Sequence, residues 1–138
     1  MEARVIFVDS NIWCYYFDAS SKEHKKAAAA VDKYLKSDHI VLNTPILMEV
    51  AHYLIKNLGA VEGKAKLLRF LEFPSTIIDL DFSQSRDAID WLAKYTHVGI
   101  GGRDATILSS MNQTKTKRLL THDKAFARVA EIEMVDPV

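Results

Sequence analysis

Four acidic residues occupy positions where an ionised carboxylate is of chemical use: Asp9, Glu49, Asp104 and Asp123. Asp9 directly follows residues 5–8, four apolar residues without alternation, which are typical of a strand covered on both faces in a parallel sheet. A carboxylate at the end of such a strand is unfavourable unless something pairs with it, and ligands of open α/β sheets bind at that end. Asp9 is therefore either the cap of the next helix or part of a site.

Glu49 lies in a helical segment that opens with a favourable start signal, Thr44 as N-cap and Pro45 as the first helical residue. A capping-box acid would stand three residues after Thr44, at Leu47, so capping does not explain Glu49. On a helical wheel Glu49 borders an apolar stripe, which consists of Ile46, Val50, Tyr53 and Leu54. This edge position can aim a carboxylate across the top of a sheet, but an ordinary surface glutamate fits the pattern equally.

Asp104 follows a glycine-rich stretch, residues 98–103, that permits a tight approach before a helix. The stretch lacks both the lysine and hydroxyl pair of a P-loop and the glycine spacing of a dinucleotide site. Asp104 falls in the first helical turn, where the helix dipole favours an acid. It also precedes Ile107 and Leu108 by three and four residues, so we expect its side chain to point inward.

The remaining pattern predicts alternating strands and helices. Apolar runs predict strands at residues 39–43, 76–80 and 117–121 besides the first, with a last edge strand at residues 133–135. Helical periodicity predicts helices at residues 22–35, 44–58, 61–73 and 83–95 and from residue 102 onward, with Ser83 as a cap. In the third of these we expect Leu67, Leu68 and Leu71 to face inward.

This alternation favours an α/β fold with a parallel sheet of four to five strands. The carboxyl ends of parallel strands share one edge of the sheet, so the four carboxylates are expected to meet there. Carboxylates gathered without a partner repel one another, and a stable cluster therefore requires a divalent cation. Ligation by oxygen alone favours Mg²⁺ or Mn²⁺ over zinc.

The bulk properties limit the class of protein. A chain of 138 residues predicts one domain, residues 1–138. Eighteen basic residues balance eighteen acidic ones, which neither indicates nor excludes a nucleic-acid partner. Cys14 is the only cysteine, so a thiolate metal cluster is excluded. Because no apolar run approaches the ~20 residues of a membrane span, we expect a cytoplasmic protein.

Together these motifs resemble a known family. The quoted segments are Asp9-Ser10-Asn11, Glu49, Gly102-Arg103-Asp104-Ala105 and Thr121-His122-Asp123-Lys124-Ala125-Phe126. In this order they are similar to PIN-domain nucleases, and among these to the short ribonucleases that serve as toxins of VapBC toxin–antitoxin pairs. The resemblance covers essentially the whole chain. It implies a three-layer α/β/α fold, a Mg²⁺- or Mn²⁺-dependent endoribonuclease, a homodimer, and a small antitoxin protein whose tail covers the site.

The resemblance also implies roles for particular residues. Asp9, Glu49, Asp104 and Asp123 would form the catalytic, metal-binding site. Ser10, Asn11 and Thr121 match polar family positions and would orient the ligands or a water molecule. Arg103 and Lys124 adjoin site acids and are either phosphate contacts or solvated charges. One departure is Ser109-Ser110, where the family helix is often alanine-rich. This difference is expected to loosen packing, or else Asn112 or Ser109 forms an inward polar contact.

Two other functions stay open at this point. Asp79-Leu80-Asp81 has the alternation of aspartyl-phosphate phosphatases, which form a covalent aspartyl intermediate, although exposure at a strand end explains it equally well. The other is a catalytically silent PIN-like module that only binds RNA or a protein. Such a module would be expected to lack at least one of the four acids, and all four are present here.

Overall fold

The computed structural model describes residues 4–138, and its centre is a five-stranded, fully parallel sheet. The strands are β1 (Val5–Val8), β2 (His39–Asn43), β3 (Ser75–Ile78), β4 (Arg118–Leu120) and β5 (Glu133–Val135). Their order across the sheet is β3-β2-β1-β4-β5, so β1 lies in the middle. The predicted parallel sheet is confirmed, including its last edge strand.

Six helices connect and cover the strands: α1 (Ser10–Phe17), α2 (His24–Ser37), α3 (Thr44–Leu58), α4 (Ala60–Leu71), α5 (Phe82–Tyr95) and α6 (Gly102–Thr114). Among them, α1 packs against α2 and α3, α3 packs against α4, and α5 packs against α6. Two short 3-10 turns follow α5 and β4, at Thr96–Val98 and Lys124–Arg128. The predicted three-layer α/β/α arrangement is confirmed. None of the helices within residues 4–138 is long and apolar enough to cross a membrane.

The central strand is buried on both faces, as its unbroken apolar run predicts. Ile6, Phe7 and Val8 are 0% exposed. An aromatic cluster adds to the core where α1 meets the end of α4, with Trp13 and Phe70 ring centres 4.6 Å apart. These contacts fix the position of α1 beyond the end of β1.

Two predicted helix caps are displaced by one or two residues. Asn43, not Thr44, is the N-cap of α3, and its side chain accepts a hydrogen bond from the Ile46 N–H at 3.0 Å. Asp81, not Ser83, is the N-cap of α5 and accepts from the Gln84 N–H at 2.8 Å. Asn is a better cap than Thr, and Asp is as good a cap as Ser, so in both cases a suitable acceptor stands slightly earlier in the chain.

The prediction for α4 is wrong in part. Leu67 is buried, but Leu68 and Leu71 are 54% and 50% exposed. The reason is Gly63, where a Cβ atom would lie only 2.6 Å from the Leu54 carbonyl oxygen of α3. This close approach sets Gly63 against α3. The same inner face of α4 contains buried Leu67 and Phe70, of which Phe70 packs against Trp13 of α1, and Leu68 and Leu71 are left on the outer face.

Candidate active site

Asp9 is both the cap of the following helix and part of the candidate site, the two roles that its position allows. It is 0% exposed, and it is the N-cap of α1, with its Oδ1 accepting from the Ser10 N–H at 2.6 Å and from the Ser10 hydroxyl at 3.3 Å. Its Oδ2 accepts from the Thr121 hydroxyl at 2.8 Å. The cap holds the carboxylate at the carboxyl end of the central strand.

Thr121 joins the ends of β1 and β4. Its Oγ1 donates to Asp9, accepts from Asn11 Nδ2 at 3.3 Å and accepts from the Asp123 N–H at 3.0 Å. A hydroxyl has one proton and two lone pairs, so the hydrogen-bonding capacity of Thr121 is fully used. Asn11 adds a second link, because its Oδ1 accepts from the His122 N–H at 3.3 Å. Asp123 is thereby held close to Asp9 on the neighbouring strand end.

Asn43 holds the helix of Glu49 against the helix of Asp104. It caps α3 through Oδ1, while its Nδ2 donates to Ser110 Oγ at 3.1 Å and to the Thr106 carbonyl at 3.4 Å. Ser109 and Ser110 are buried and hydrogen-bonded to α5 as well, Ser110 through Gln84 Oε1 at 3.1 Å. Of the two expectations for this helix, the structure therefore supports the inward polar contact, which Ser109 makes as one of the two named candidates and which Ser110 makes as well.

Asp104 points inward, as its spacing from Ile107 and Leu108 predicts. It is only 7% exposed, and its Oδ2 accepts from the Gly101 N–H at 3.1 Å in the first turn of α6. Its Oδ1 is buried and accepts no hydrogen bond from the residues that the structure describes. Glu49 Oε1 is buried in the same way, again without a hydrogen bond from residues 4–138. Each of these side chains therefore presents one carboxylate oxygen that is free to accept a hydrogen bond or bind a cation.

Arg103 lies among three of the acids. Its Nε is 2.7 Å from Glu49 Oε2, its Nη2 is 3.1 Å from Asp104 Oδ1, and its Nη1 is 3.5 Å from Asp9 Oδ1. The arginine side chain is 38% exposed, so the cluster opens to solvent on that side. The structure thus brings Asp9, Glu49 and Asp104 together around one guanidinium.

Burial controls the ionisation of these groups. It raises the pKa of Asp9, of Glu49 and of Asp104 above their ordinary values, although the charge of Arg103 opposes the rise in each case. Neighbouring Asp123 raises the pKa of Asp9 and of Asp104 further. Burial alone would lower the pKa of Arg103, but the adjacent Asp9, Glu49 and Asp104 outweigh it and raise the pKa. The negative charge at this edge is not fully balanced by one arginine.

Whether a divalent ion fits can be judged from the donor atoms. As the side chains stand, no group of three or more His, Cys, Asp or Glu residues within the described part of the chain is arranged to hold a metal. The donors are nevertheless all carboxylate oxygens, the type that Mg²⁺ and Mn²⁺ prefer. Glu49 Oε1 and Asp104 Oδ1 are buried oxygens for which the described residues supply no hydrogen-bond donor. The residues therefore fit such an ion in chemical type, with Arg103 in contact with the same side chains.

The flank beside Asp123 contains a feature that the sequence reading did not identify. Asp136, near the end of the chain, accepts from Lys124 Nζ at 2.7 Å and lies 3.0 Å from His122 Nδ1. Asp123 Oδ1 itself caps the following 3-10 turn through the Ala125 N–H at 3.0 Å. Lys124 is thus held beside the site by an acid, with its side chain 76% exposed. In the sequence, the only hint of this contact is that His122 and Lys124, on either side of Asp123, are basic and can pair with an acid such as Asp136.

The cysteine and the Asp79-Leu80-Asp81 segment singled out in the sequence have ordinary structural explanations here. Burial raises the pKa of Cys14 to about 12, which is the state of a buried structural thiol rather than a nucleophile. In the Asp79-Leu80-Asp81 segment, Asp81 is accounted for as the cap of α5 and Asp79 is exposed. Helix capping therefore explains the alternation that suggested a phosphatase.

The fold and this edge of the sheet agree with a family comparison. A family model of the PIN domain matches residues 6–132. The chain therefore belongs to the PIN domain family. A comparison with curated proteins gives no match.

Solved structures with the same fold include toxins and toxin–antitoxin complexes. VapC20 of Mycobacterium tuberculosis, described as a toxin that cleaves the sarcin–ricin loop, superposes with a TM-score of 0.78 at 19% identity, over 93% of this chain and 97% of that chain. VapBC2 of Rickettsia felis, bound to a DNA fragment from its promoter, gives a TM-score of 0.76 at 19% identity, over 96% of this chain and 98% of that one. A toxin–antitoxin complex from Klebsiella pneumoniae gives 0.72 at 19% identity, over 96% and 98% of the two chains. The resemblance to PIN-domain VapC proteins is confirmed at the level of family and fold.

Proposed function

We propose that this chain is an endoribonuclease that hydrolyses RNA phosphodiester bonds with Mg²⁺ or Mn²⁺, and that it is the toxin of a toxin–antitoxin pair. One observation carries the proposal. Asp9, Glu49 and Asp104, from three separate segments, converge at the carboxyl edge of a parallel sheet, and Thr121 ties Asp123 to Asp9. That edge is where α/β sheets bind their ligands.

The four acids are assigned both to catalysis and to holding the ion. Asp9, Asp104 and Asp123 would chiefly bind it. Glu49, which is partly exposed and has a free Oε1, would bind it directly or through water and would accept a proton from the attacking water. Ser10, Asn11 and Thr121 would hold the carboxylates in orientation through the hydrogen bonds described above.

Hydrolysis of a phosphodiester builds negative charge on phosphate oxygens. A divalent ion, when bound, supplies charge screening and acidifies water. Arg103 and Lys124 would contact the phosphate, Arg103 through its planar fork of donors and Lys124 as a point charge. Lys124 would have to give up its contact with Asp136 for this purpose.

Exposed apolar side chains support the proposal that this chain binds protein partners. The α3–α4 hairpin exposes Met48, Ile55, Val61, Leu68 and Leu71, and we propose that an antitoxin covers part of this surface and the site. Phe82 and Ile89 lie seven residues apart on one face of α5 and are 78% and 63% exposed, which suits a homodimer contact. An enzyme that acts on cellular RNA would work in the cytoplasm.

A cleavage assay tests the enzymatic part of the proposal. The purified chain is incubated with mixed-sequence single-stranded RNA and Mn²⁺, with and without EDTA, beside Asp9→Asn and Asp79→Asn. We expect cleavage by the parent and by Asp79→Asn, and none with EDTA or with Asp9→Asn, whose circular dichroism should match that of the parent. Equal cleavage by Asp9→Asn and the parent would reject the site. Binding of RNA without cleavage would favour the silent binding module, and loss of a phosphatase activity in Asp79→Asn would favour the phosphatase.

Growth of a bacterial host tests the toxin role separately. Induced expression of the parent chain should arrest growth, whereas Asp9→Asn at equal protein level should not. Normal growth of cells that contain an RNA-cleaving parent would contradict the toxin assignment while leaving the nuclease assignment intact.

A further inference from the structure

The guanidinium of Arg103 occupies the middle of the carboxylate cluster. Its three nitrogens face three different acids, Glu49 at 2.7 Å, Asp104 at 3.1 Å and Asp9 at 3.5 Å. Asp9 and Asp104 are buried, and Glu49 is partly so. An arginine that contacts every acid of a cluster in this way acts as the counter-ion of the whole cluster.

We infer that Arg103 takes the place of the divalent ion in the metal-free protein and must leave the cluster before that ion binds. The inference rests on the proposed function, because it concerns the ion that the nuclease would use. It assigns to Arg103 a role in setting the metal affinity of the site, which is distinct from a contact to phosphate.

Geometry makes the two cations exclusive. Mg²⁺ demands oxygen ligands at about 2.0–2.1 Å in near-octahedral arrangement. Glu49 Oε2, Asp104 Oδ1 and Asp9 Oδ1 now face a planar guanidinium, a group too broad to share a set of ligands drawn that close. Since the arginine side chain is 38% exposed, it can leave toward solvent without unfolding the helix that carries it.

The arginine satisfies the cluster only in part. It brings one positive charge to three carboxylates, with Asp123 as a further nearby acid. Asp104 Oδ1 lies within ion-pair distance of Arg103, but neither it nor Glu49 Oε1 accepts a hydrogen bond from any residue in the described range 4–138. A divalent ion balances more of this charge than the guanidinium does. The arginine therefore stabilises the metal-free fold while remaining replaceable.

Opposite effects on stability and on metal affinity follow. A variant without the arginine charge should lose stability in the absence of metal, because its carboxylates then repel one another without a counter-ion. The same variant should bind the ion more tightly, because no internal cation has to be displaced. The parent chain would thus fill its site only above a threshold metal concentration that Arg103 sets.

Titration calorimetry with Mn²⁺ and thermal melting in EDTA test this inference on the full chain. The variants are Arg103→Gln and, as a matched control, Arg118→Gln. Arg118 pairs with Asp38 at the opposite end of the sheet, so its loss removes an arginine–carboxylate pair far from the cluster. We expect Arg103→Gln to melt lower than the parent in EDTA and to bind Mn²⁺ about tenfold more tightly, within the usual range of coupling between two sites. Arg118→Gln should melt lower without a change in Mn²⁺ affinity.

A conservative variant keeps the inference testable if Arg103→Gln does not fold. Arg103→Lys keeps the charge but lacks the planar fork, so its Mn²⁺ affinity should lie between those of the parent and Arg103→Gln. Unchanged or weaker Mn²⁺ binding by the Arg103 variants, or no Mn²⁺ binding by any protein, would overturn the inference. Cleavage of RNA by the parent in the same preparation separates the two claims. If the parent cleaves RNA but the Arg103 variants bind Mn²⁺ as the parent does, the nuclease function is supported and the displacement of Arg103 is contradicted. If the variant affinities change but the parent does not cleave RNA, the displacement is supported and the nuclease function is contradicted.

Discussion

The two ends of the sheet each hold an arginine paired with carboxylate, and the two arrangements are built differently. At the carboxyl end, Arg103 contacts three acids, and two of their buried oxygens accept no hydrogen bond from the residues that the structure describes. At the amino end, the one acid that pairs with Arg118 within residues 4–138 is Asp38, and Arg118 also donates to the Val5 carbonyl at 3.3 Å and lies over the Tyr34 ring at 5.7 Å. Within this described part of the chain, the carboxyl end has a surplus of negative charge and the amino-end pair is balanced.

The pKa shifts follow this difference. Burial acts on both clusters, but at the amino end Ser37 and Arg118 outweigh it and leave the pKa of Asp38 below its ordinary value. At the carboxyl end burial dominates, and the pKa of Asp9, of Glu49 and of Asp104 is raised. A balanced ion pair stabilises a fold, whereas a surplus of buried acids destabilises it unless a ligand compensates for the charge. The charge balance, rather than the presence of an arginine, therefore distinguishes the candidate site from a structural pair.

Neutralising one acid at each end of the sheet should give the largest difference between the two ends. Asp104→Asn keeps the shape of the side chain and a cap for Gly101, so we expect metal-free stability at pH 7 at least equal to that of the parent, but RNA cleavage reduced by at least about 100-fold. Asp38→Asn should lose about 2 kcal/mol of unfolding free energy, because it leaves the Arg118 guanidinium without its charged hydrogen-bond partner, and should cleave RNA normally. Urea denaturation and initial cleavage rates measure both. Loss of stability in Asp104→Asn as large as in Asp38→Asn would remove the distinction between the two ends.

A smaller effect is expected from removing the hydroxyl group that donates a hydrogen bond to an acid at each end of the sheet. Thr121 donates to Asp9 at 2.8 Å and Ser37 donates to Asp38 at 2.6 Å. Thr121→Val removes the hydroxyl that links three groups, and we expect cleavage to fall about 10- to 100-fold with the fold intact. Ser37→Ala should leave cleavage unchanged.

The serine substitution at the same position separates a positioning role from a packing role. Thr121→Ser keeps the hydroxyl and should recover most of the cleavage that Thr121→Val loses. If Thr121→Ser were as inactive as Thr121→Val, the methyl group and not the hydrogen bonds would be the feature that matters.

The alternation of apolar strand runs with helical segments predicted the parallel sheet. The sequence also led us to expect that the acids meet, because Asp9 ends a strand and the helices of Glu49 and Asp104 begin near strand ends; the structure brings these three together, and their chemical role stays a prediction. The sequence could not predict that Leu68 and Leu71 face outward, since that depends on the close approach of α4 to α3 at Gly63. The sequence also could not predict the hydrogen bonds of Asn43 to α6 or the pairing of Asp136 with Lys124. Such contacts join residues distant in the chain, and no local propensity or periodicity encodes them. The position of Arg103 among three acids is a contact of the same kind.

The smallest expected effect is a difference in how the two ends respond to pH in metal-free protein. The ordinary pKa of an aspartate is 3.8. Because the pKa of Asp38 is lowered by folding, its stabilising contribution is fully present above 3.8 and is lost as the pH falls through the lower folded value. Because the pKa of Asp104 is raised by folding, the folded protein holds a proton above 3.8 that the unfolded chain has released, so stability falls as the pH rises through the raised value.

Melting curves in EDTA between pH 3 and pH 8 can resolve these opposite signs against the isosteric variants. The stability advantage of the parent over Asp38→Asn should be smallest at the acid end and constant from about pH 5 upward. Relative to Asp104→Asn, the parent should be most stable at the acid end and should lose that advantage as the pH rises through the raised pKa of Asp104. A parent that instead gained stability over Asp104→Asn with rising pH would mean that Arg103 already neutralises the cluster, and the two ends of the sheet would then be alike.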